Sequence, residues 1–326
     1  MKPLKKKMID SATSRTALIA GGSGFIGRFI TKRLQSEGWK TIILSRSLER
    51  GDITWEQIKA DGLPTCDAVI NLAGKHILDM RKRWNQSYMD EVLSSRLETT
   101  QTLVNAINNS NKPPRVFLSL SGKCFYGTSQ QKVFQEHEGA GDDFPGQLCD
   151  QWESAARQID TDRVRHVHIR LGIVLGPVND KLFSSGILPL LRLAFMCGLG
   201  STFGDGQQFF PWVHIDDVTG LMSKALNSDA MSGVYNSVSP NIVRNKEFMH
   251  ALGDALNRPV LFRIPVAVIK FIVSKDRMPI LIEGQHVVPR RTLDAGYQFK
   301  FPDLTTALED LTNNRKTGES YNVCNN

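Results

Sequence analysis

The sequence predicts an α/β fold, a doubly wound parallel sheet of the Rossmann type with a small C-terminal α/β substrate subdomain. Three observations predict it. Residues 16–34 (TALIAGGSGFIGRFITKRL) run from a short apolar strand through three spaced glycines into a helical pattern. Strand and helix patterns then alternate along the chain with crossovers of ordinary length, as helices laid over a parallel sheet require. Finally, 326 residues, 41% of them hydrophobic and 22% charged, suffice for one large α/β domain and a small appended one.

Ala17, Leu18, Ile19 and Ala20 form the first strand, followed by Gly21, Gly22, Ser23, Gly24, Phe25, Ile26 and Gly27. Gly21 permits the tight turn, Gly24 lets the backbone approach a pyrophosphate, and Gly27 lets the helix pack close on the strand. Phosphates would sit at the helix N-terminus, where unpaired N–H groups and the macrodipole favour negative charge. Phe25, Ile26, Phe29, Ile30 and Leu34 follow at helical spacing and give the helix one apolar face. The second strand, residues 41–44, decides which dinucleotide is expected. An NAD site offers an Asp or Glu just past this strand for the ribose 2′-OH. Here the chain reads Ser45, Arg46, Ser47. A hydroxyl and a guanidinium suit a 2′-phosphate, so NADP is the expected cofactor, against the alternative that Arg46 is a solvated loop arginine.

Residues 66–74 (CDAVINLAG) read as a short buried strand with Asn71, Leu72, Ala73 and Gly74 at its carboxyl end, the edge that faces the ligand crevice in a parallel sheet. Residues 87–108 form a long helix, on which Glu91 and Arg96 by themselves read as surface charges. Residues 115–121 are a strand, 128–146 a polar loop, 149–159 a helix and 166–175 a strand. Residues 188–197 are a further helix, and 209–217 lead into another through Leu226 with an Asp as N-cap. Smaller elements close the chain: strands at 234–237 and 260–264, helices at 245–256 and 305–311. The implied organisation is a disordered basic arm (1–14), a dinucleotide-binding domain (15–232), a small C-terminal subdomain (233–312) and a polar tail (313–326).

The net charge of +7 is unevenly placed. Lys2, Lys5, Lys6, Lys7 and Arg15 against Asp10 put four of the seven charges in the first fifteen residues. The folded part is barely basic, and its clusters Arg81–Lys82–Arg83 and Arg290–Arg291 lack the interleaved aromatics of a nucleic-acid platform, so no nucleic-acid partner is expected. Five scattered cysteines without a CxxC pair argue against a disulfide framework or metal site and for a reducing, intracellular compartment. The arm lacks the apolar core of a secretory signal, and no apolar run is long enough to span a bilayer; neither a membrane nor secretion is expected. The cytoplasm is the expected location, with the mitochondrion as the alternative that a basic, hydroxyl-containing arm leaves open.

These motifs together resemble the extended, epimerase-like branch of the short-chain dehydrogenase/reductase superfamily. GGSGFIG, NLAG, the Tyr126–Gly127 pair, RLGIVLG (170–176) and PWVHIDDV (211–218) fall in that branch's order. The finer similarity is to its atypical "epimerase family" subgroup, through ITW (53–55), Arg83–Trp84, SRLETT (95–100), WESAA (152–156), QFFPWVHI (208–215) and EGQHVVPRRTLDAGYQFKFPDL (283–304), the last resembling a C-terminal domain of unassigned function. The resemblance implies NADP contacts at Gly21 through Gly27, Ser45, Arg46, Leu72, Ala73, Glu91, Arg96 and the backbone near Val174. It also implies a small-molecule substrate, of unidentified class, between the sheet's carboxyl edge and the C-terminal region.

The departures concern the chemistry. The superfamily moves protons with a Ser or Thr and a YxxxK pair, a tyrosinate kept reactive by the nearby ammonium. No YxxxK occurs here. Cys149 stands at the tyrosine position, Glu153 at the lysine and Gly122 at the serine, with Ser119 and Ser121 as neighbours. A glutamate raises a neighbouring thiol's pKa, so Cys149 and Glu153 make a poor proton-donor pair. Tyr126 is the candidate catalytic phenol, with core packing as its alternative role. His214 or Asp216 would act on substrate or else cap a helix, and Cys149 would be a reactive thiol or an inert buried one. Two functions follow: an NADP(H)-binding, epimerase-like oxidoreductase, or an NADP-binding regulatory or scaffold protein that has lost turnover.

Overall fold

A computed structural model describes residues 14–75, 85–178, 186–268 and 282–313. The basic arm ahead of residue 14, the Arg81–Lys82–Arg83 cluster, the Arg83–Trp84 pair and the polar tail beyond Asn313 lie outside the described residues.

The chain builds a parallel sheet in two directions from its first strand. β1 (Thr16–Ala20) turns through the glycines into α1 (Phe25–Ser36), and then β2 (Lys40–Ser45), β3 (Ile53–Thr54), α2 (Trp55–Asp61) and β4 (Ala68–Asn71) follow. α3 (Gln86–Asn108), β5 (Val116–Gly122), β6 (Ser129–Phe134), α4 (Phe144–Ala156), β7 (Arg165–Leu171) and β8 (Ile173–Leu175) come next. The remainder is α5 (Leu188–Met196), β9 (Ser201–Phe203), β10 (Phe209–Phe210), β11 (Trp212–His214), α6 (Ile215–Asn227), β12 (Gly233–Ser237), β13 (Val243–Arg244), α7 (Asn245–Leu256), β14 (Phe262–Ile264) and β15 (Gln285–Val287), closed by two helices, Arg290–Asp294 and Leu304–Asn313.

Seven strands pair in the order β12-β7-β5-β4-β1-β2-β3, every neighbour parallel. The order reverses between β1 and β4, which puts the ligand crevice of such a fold outside their carboxyl ends. Residues 17–20 of β1 and all four of β4 are buried, because both faces of the sheet are covered. Ala17 and Ile19 pack with Ile30, Leu34, Val218 and Leu221 on one face. Leu18 and Ala20 pack with Leu103, Val104 and Ile107 on the other. No helix among the described residues is long and apolar enough to cross a membrane.

Three expectations are corrected. The stretch 128–146 is not all loop, because Ser129–Phe134 pairs in parallel with Gln285–Val287; the strand is mostly exposed, so its sequence carries no buried-face signal. The strand expected at the head of the C-terminal subdomain is the outermost strand of the main sheet, Val234 to Ser237 pairing with His168 to Leu171. The cap of α6 is His214, whose Nδ1 accepts the Asp216 N–H at 3.0 Å. Asp217 is freed for a different task. Its carboxylate accepts the N–H of Lys300 (2.6 Å), the N–H of Phe301 (2.9 Å) and the hydroxyl of Tyr297 (3.1 Å), lashing the C-terminal segment to α6. His214 joins the clasp by stacking on Phe301 and lying 3.3 Å from the Asp310 carboxylate, which its hydrogen bond holds below the usual range although burial opposes it.

Candidate functional site

The glycine turn closes against the end of β4. Gly21 has φ +78°, which a residue with a side chain rarely adopts, and a Cβ there would lie 2.9 Å from the Leu72 carbonyl oxygen. At Gly27 a Cβ would come within 2.3 Å of the Gly21 carbonyl, so α1 sits directly on the turn. Gly22 faces Ile43 of β2, Ser23 is exposed, and Phe25 meets Phe29 edge to face. Ile26 packs against the cores on both sides of α1. Gly24 caps α1 without a side-chain hydrogen bond, and the first turn holds no acidic residue. The helix therefore presents peptide N–H groups and a partial positive charge that no carboxylate of its first turn offsets.

β2 lies beside β1 with Leu44 level with Ala20, which brings Ser45 and Arg46 alongside the turn. Ser45 is buried, and its hydroxyl donates to the Ser47 carbonyl at 2.5 Å, so it shapes the loop. Arg46 is exposed, and no acid pairs with it among the described residues. A guanidinium in that position suits an anion. On the other side, Leu72 continues β4 by donating to Ala20, and Ala73 donates to the Asn71 side chain, itself bonded to Thr100 of α3.

Gly74 explains itself through Arg96, since a Cβ there would lie 3.3 Å from the guanidinium carbon. Arg96 is 8% exposed, lies over the Trp152 ring and donates to the Val92 carbonyl, while its Nε has no partner. Burial pulls its pKa down, against the pull of Cys149 and Tyr88. A buried cation with no paired carboxylate among the described residues is costly, and an anionic ligand would offset that cost. Glu91 pairs with Lys75, just past the NLAG strand end. Val174 arrives from the far side: a Cβ on Gly186 would meet both the Val174 carbonyl and the Phe25 ring. The glycine turn thus meets Leu72 and Ala73 at the end of β4, Gly74 meets Arg96, and Gly186 meets both Val174 and Phe25.

The positions where the resemblance places the catalytic triad also converge, but on a buried ion pair. Glu153 takes Arg170 in a fork, Oε1 from Nε and Oε2 from Nη2, both at 2.8 Å, and accepts the Ser121 hydroxyl at 2.7 Å. His168 stands 3.3 Å away. Burial alone would raise the Glu153 carboxyl, but His168 and Arg170 hold it far below the usual carboxylate range. Cys149 lies beside the Gly122 backbone, and burial, with Cys124 and Glu153, drives its thiol far above the usual range. Behind the pair, the Ser119 hydroxyl bridges His166 (2.8 Å) and His168 (2.6 Å).

Tyr126 is 4% exposed, donates to Asn236 of β12 at 2.7 Å and stacks on Phe134. Burial pushes its pKa up to about 12. Its proton is committed inside the core. Arg170 lies 3.4 Å over the Phe125 ring and 4.9 Å over that of Tyr126, tying the phenol to the same buried network. Sequence reasoning missed the roles of His166, His168 and Arg170. Their signal was alternation, three polar residues interleaved with Val167, Ile169 and Leu171. It also missed Lys123, buried after β5 and bonded to Gln285 of β15, which no local pattern announces.

The comparisons with known proteins agree with this architecture. Residues 17–237 match the NAD dependent epimerase/dehydratase family, and residues 264–311 match a domain of unknown function, DUF1731. The human epimerase family protein SDR39U1 is 41% identical over 295 residues, 90% of this chain and 98% of the relative. The Bacillus subtilis epimerase family protein YfhF is 31% identical, over 92% and 98%. A crystal structure of human SDR39U1 (isoform 2) with NADPH superposes with a TM-score of 0.87, covering 92% of this chain and 99% of that one. A UDP-N-acetylglucosamine 4-epimerase from Bacillus cereus, 17% identical with a TM-score of 0.71 over 93% and 100%, shares the fold. A glycine turn at the switch point of a seven-stranded parallel sheet, matched over most of the chain, makes this protein a member of the NAD dependent epimerase/dehydratase family, carrying the DUF1731 C-terminal domain.

Proposed function

We propose that the chain binds NADP(H) in the crevice between β1 and β4 and is an epimerase-like oxidoreductase of the atypical short-chain type. Arg46 carries the reading: an exposed guanidinium without an acidic partner among the described residues, alongside a helix N-terminus without acid. A 2′-phosphate there gains a charge-assisted hydrogen bond that the 2′-OH of NAD cannot offer. Gly21 to Gly27 would receive the pyrophosphate, Leu72 and Ala73 the adenosine side, and Arg96 an anionic group above Gly74. The human relative solved with NADPH supports the choice. Bound nicotinamide supplies hydride exchange; the chain's part is to bind, orient and exclude water. Calorimetry should find NADPH held at least about tenfold more tightly than NADH, and Arg46→Ala should erase most of that difference. Equal affinity for the two coenzymes in the parent protein would end this reading.

One observation favours a second reading, a protein that keeps NADP(H) without turnover. The positions that would carry proton transfer hold a buried Glu153–Arg170 pair and a protonated Cys149, and the Tyr126 proton is bound to Asn236. The two readings part on substrate-dependent loss of NADPH absorbance across a carbonyl panel, which turnover requires and simple binding does not produce.

A further inference from the structure

α5 is apolar on both sides. Leu188, Pro189, Leu191 and Phe195 are buried, whereas Leu190, Leu193 and Met196, three residues apart, are 54%, 52% and 46% exposed. The next turn adds Leu199 at 58%. The Gly200 carbonyl then accepts the N–H groups of Leu261 and Phe262, bringing two more apolar residues, exposed by 59% and 55%, next to the end of this helix. Six of the ten large apolar side chains exposed among the described residues lie in this one patch. A surface helix normally turns a polar face outward, and a contiguous apolar surface marks a contact.

The charges around the patch identify what it meets. The segments that form it, 186–203 and 257–268, carry Arg192, Arg258 and Arg263 and no acid. Asp205 and Asp254 lie just outside them. Self-association about a two-fold axis would set the patch against itself and oppose arginine to arginine, which costs free energy. An anionic surface would gain instead. Leucines standing out along a helix, with Arg192 among them and Arg258 nearby in the chain that packs on it, suit the boundary between lipid headgroups and acyl chains.

We propose that this face docks the protein peripherally on an anionic lipid surface, with the six apolar side chains entering the interface and Arg192 and Arg258 meeting lipid phosphate and carboxylate groups. It spans nothing and uses none of the residues assigned to the cofactor. The test is co-sedimentation of the full chain with phosphatidylcholine vesicles containing about one-third phosphatidylserine. Binding is expected, and the triple variant Leu190→Ser, Leu193→Ser, Phe262→Ser should weaken it about tenfold or more with an unchanged melting temperature. Arg192→Glu with Arg258→Glu should weaken it comparably. Binding that survives the triple variant would belong to the lysine-rich arm and would overturn the proposal, as would equal binding to pure phosphatidylcholine. No vesicle binding, with or without a dimer that the triple variant dissolves in sedimentation velocity, would overturn it too.

Discussion

The Glu153–Arg170 pair is the sharpest place to test the account of the site. Glu153 is 1% exposed and its two oxygens accept two Arg170 donors at 2.8 Å, Ser121 at 2.7 Å and the near contact of His168. Removing one member of such a pair leaves the other charge buried and unpaired, a cost of about 3–5 kcal/mol. Glu153→Gln retains the shape and one acceptor, so it belongs at the lower end. In a chain of this size about 3 kcal/mol lowers the melting temperature by roughly 4–5 °C. Glu153→Lys, which restores the family's residue type, should be worse, because it places a second cation against Arg170. The double variant Glu153→Gln, Arg170→Met should regain part of the loss, giving a coupling of about 2 kcal/mol or more in a double-mutant cycle. Urea denaturation at pH 7, followed by circular dichroism, measures the parent, Glu153→Gln, Arg170→Met, the double variant and Glu153→Lys. A cost below about 1 kcal/mol for Glu153→Gln, or additive losses in the cycle, would refute the buried-pair reasoning.

Three further outcomes follow from other parts of the molecule. Gly27→Ala drives a methyl group to 2.3 Å from the Gly21 carbonyl, so it should cost about 1–3 kcal/mol and weaken NADPH binding at least about tenfold, read by denaturation and calorimetry. His166, half-buried against Phe117 and hydrogen-bonded to Ser119, is held down to about 3 by desolvation and by His168. An unfolded histidine titrates near 6.5, so the stability this group contributes is present above about pH 6.5 and drains away as pH falls toward about 3. Urea midpoints should drop by an equivalent of up to about 2 kcal/mol from pH 7 to pH 5, and His166→Gln should flatten that slope. Asp217→Ala strands three donors of residues 297–301 and should cost about 2–4 kcal/mol, with hydrogen exchange rising first in that segment.

How much of this was legible depended on how far apart the interacting residues lie. The glycine turn, the buried strands on either side of it and the arginine after β2 are written within thirty or so residues, each in a local pattern that only one arrangement satisfies. The short strand Ser129–Phe134 was not, because what orders it is Gln285–Val287, more than a hundred and fifty residues on, and most of its own side chains, Phe134 excepted, face water. Tyr126 shows the same limit. Its residue type suggested chemistry, but its role is fixed by Asn236, 110 positions away, and by the Arg170 cation. Glu153 in place of lysine was readable as a loss; that it builds an ion pair required knowing which face of β7 meets α4.

The Asp217 clasp has a consequence for how the chain comes into being. Its carboxylate is 1% exposed, and the donors that satisfy it are Tyr297, Lys300 and Phe301, at least eighty residues downstream. A chain that has finished the whole seven-stranded sheet therefore still carries on α6 a carboxylate whose three protein donors come only with residues 297–301. A protein shortened before Tyr297 therefore loses, along with its final helix, every donor outside α6 that answers this carboxylate.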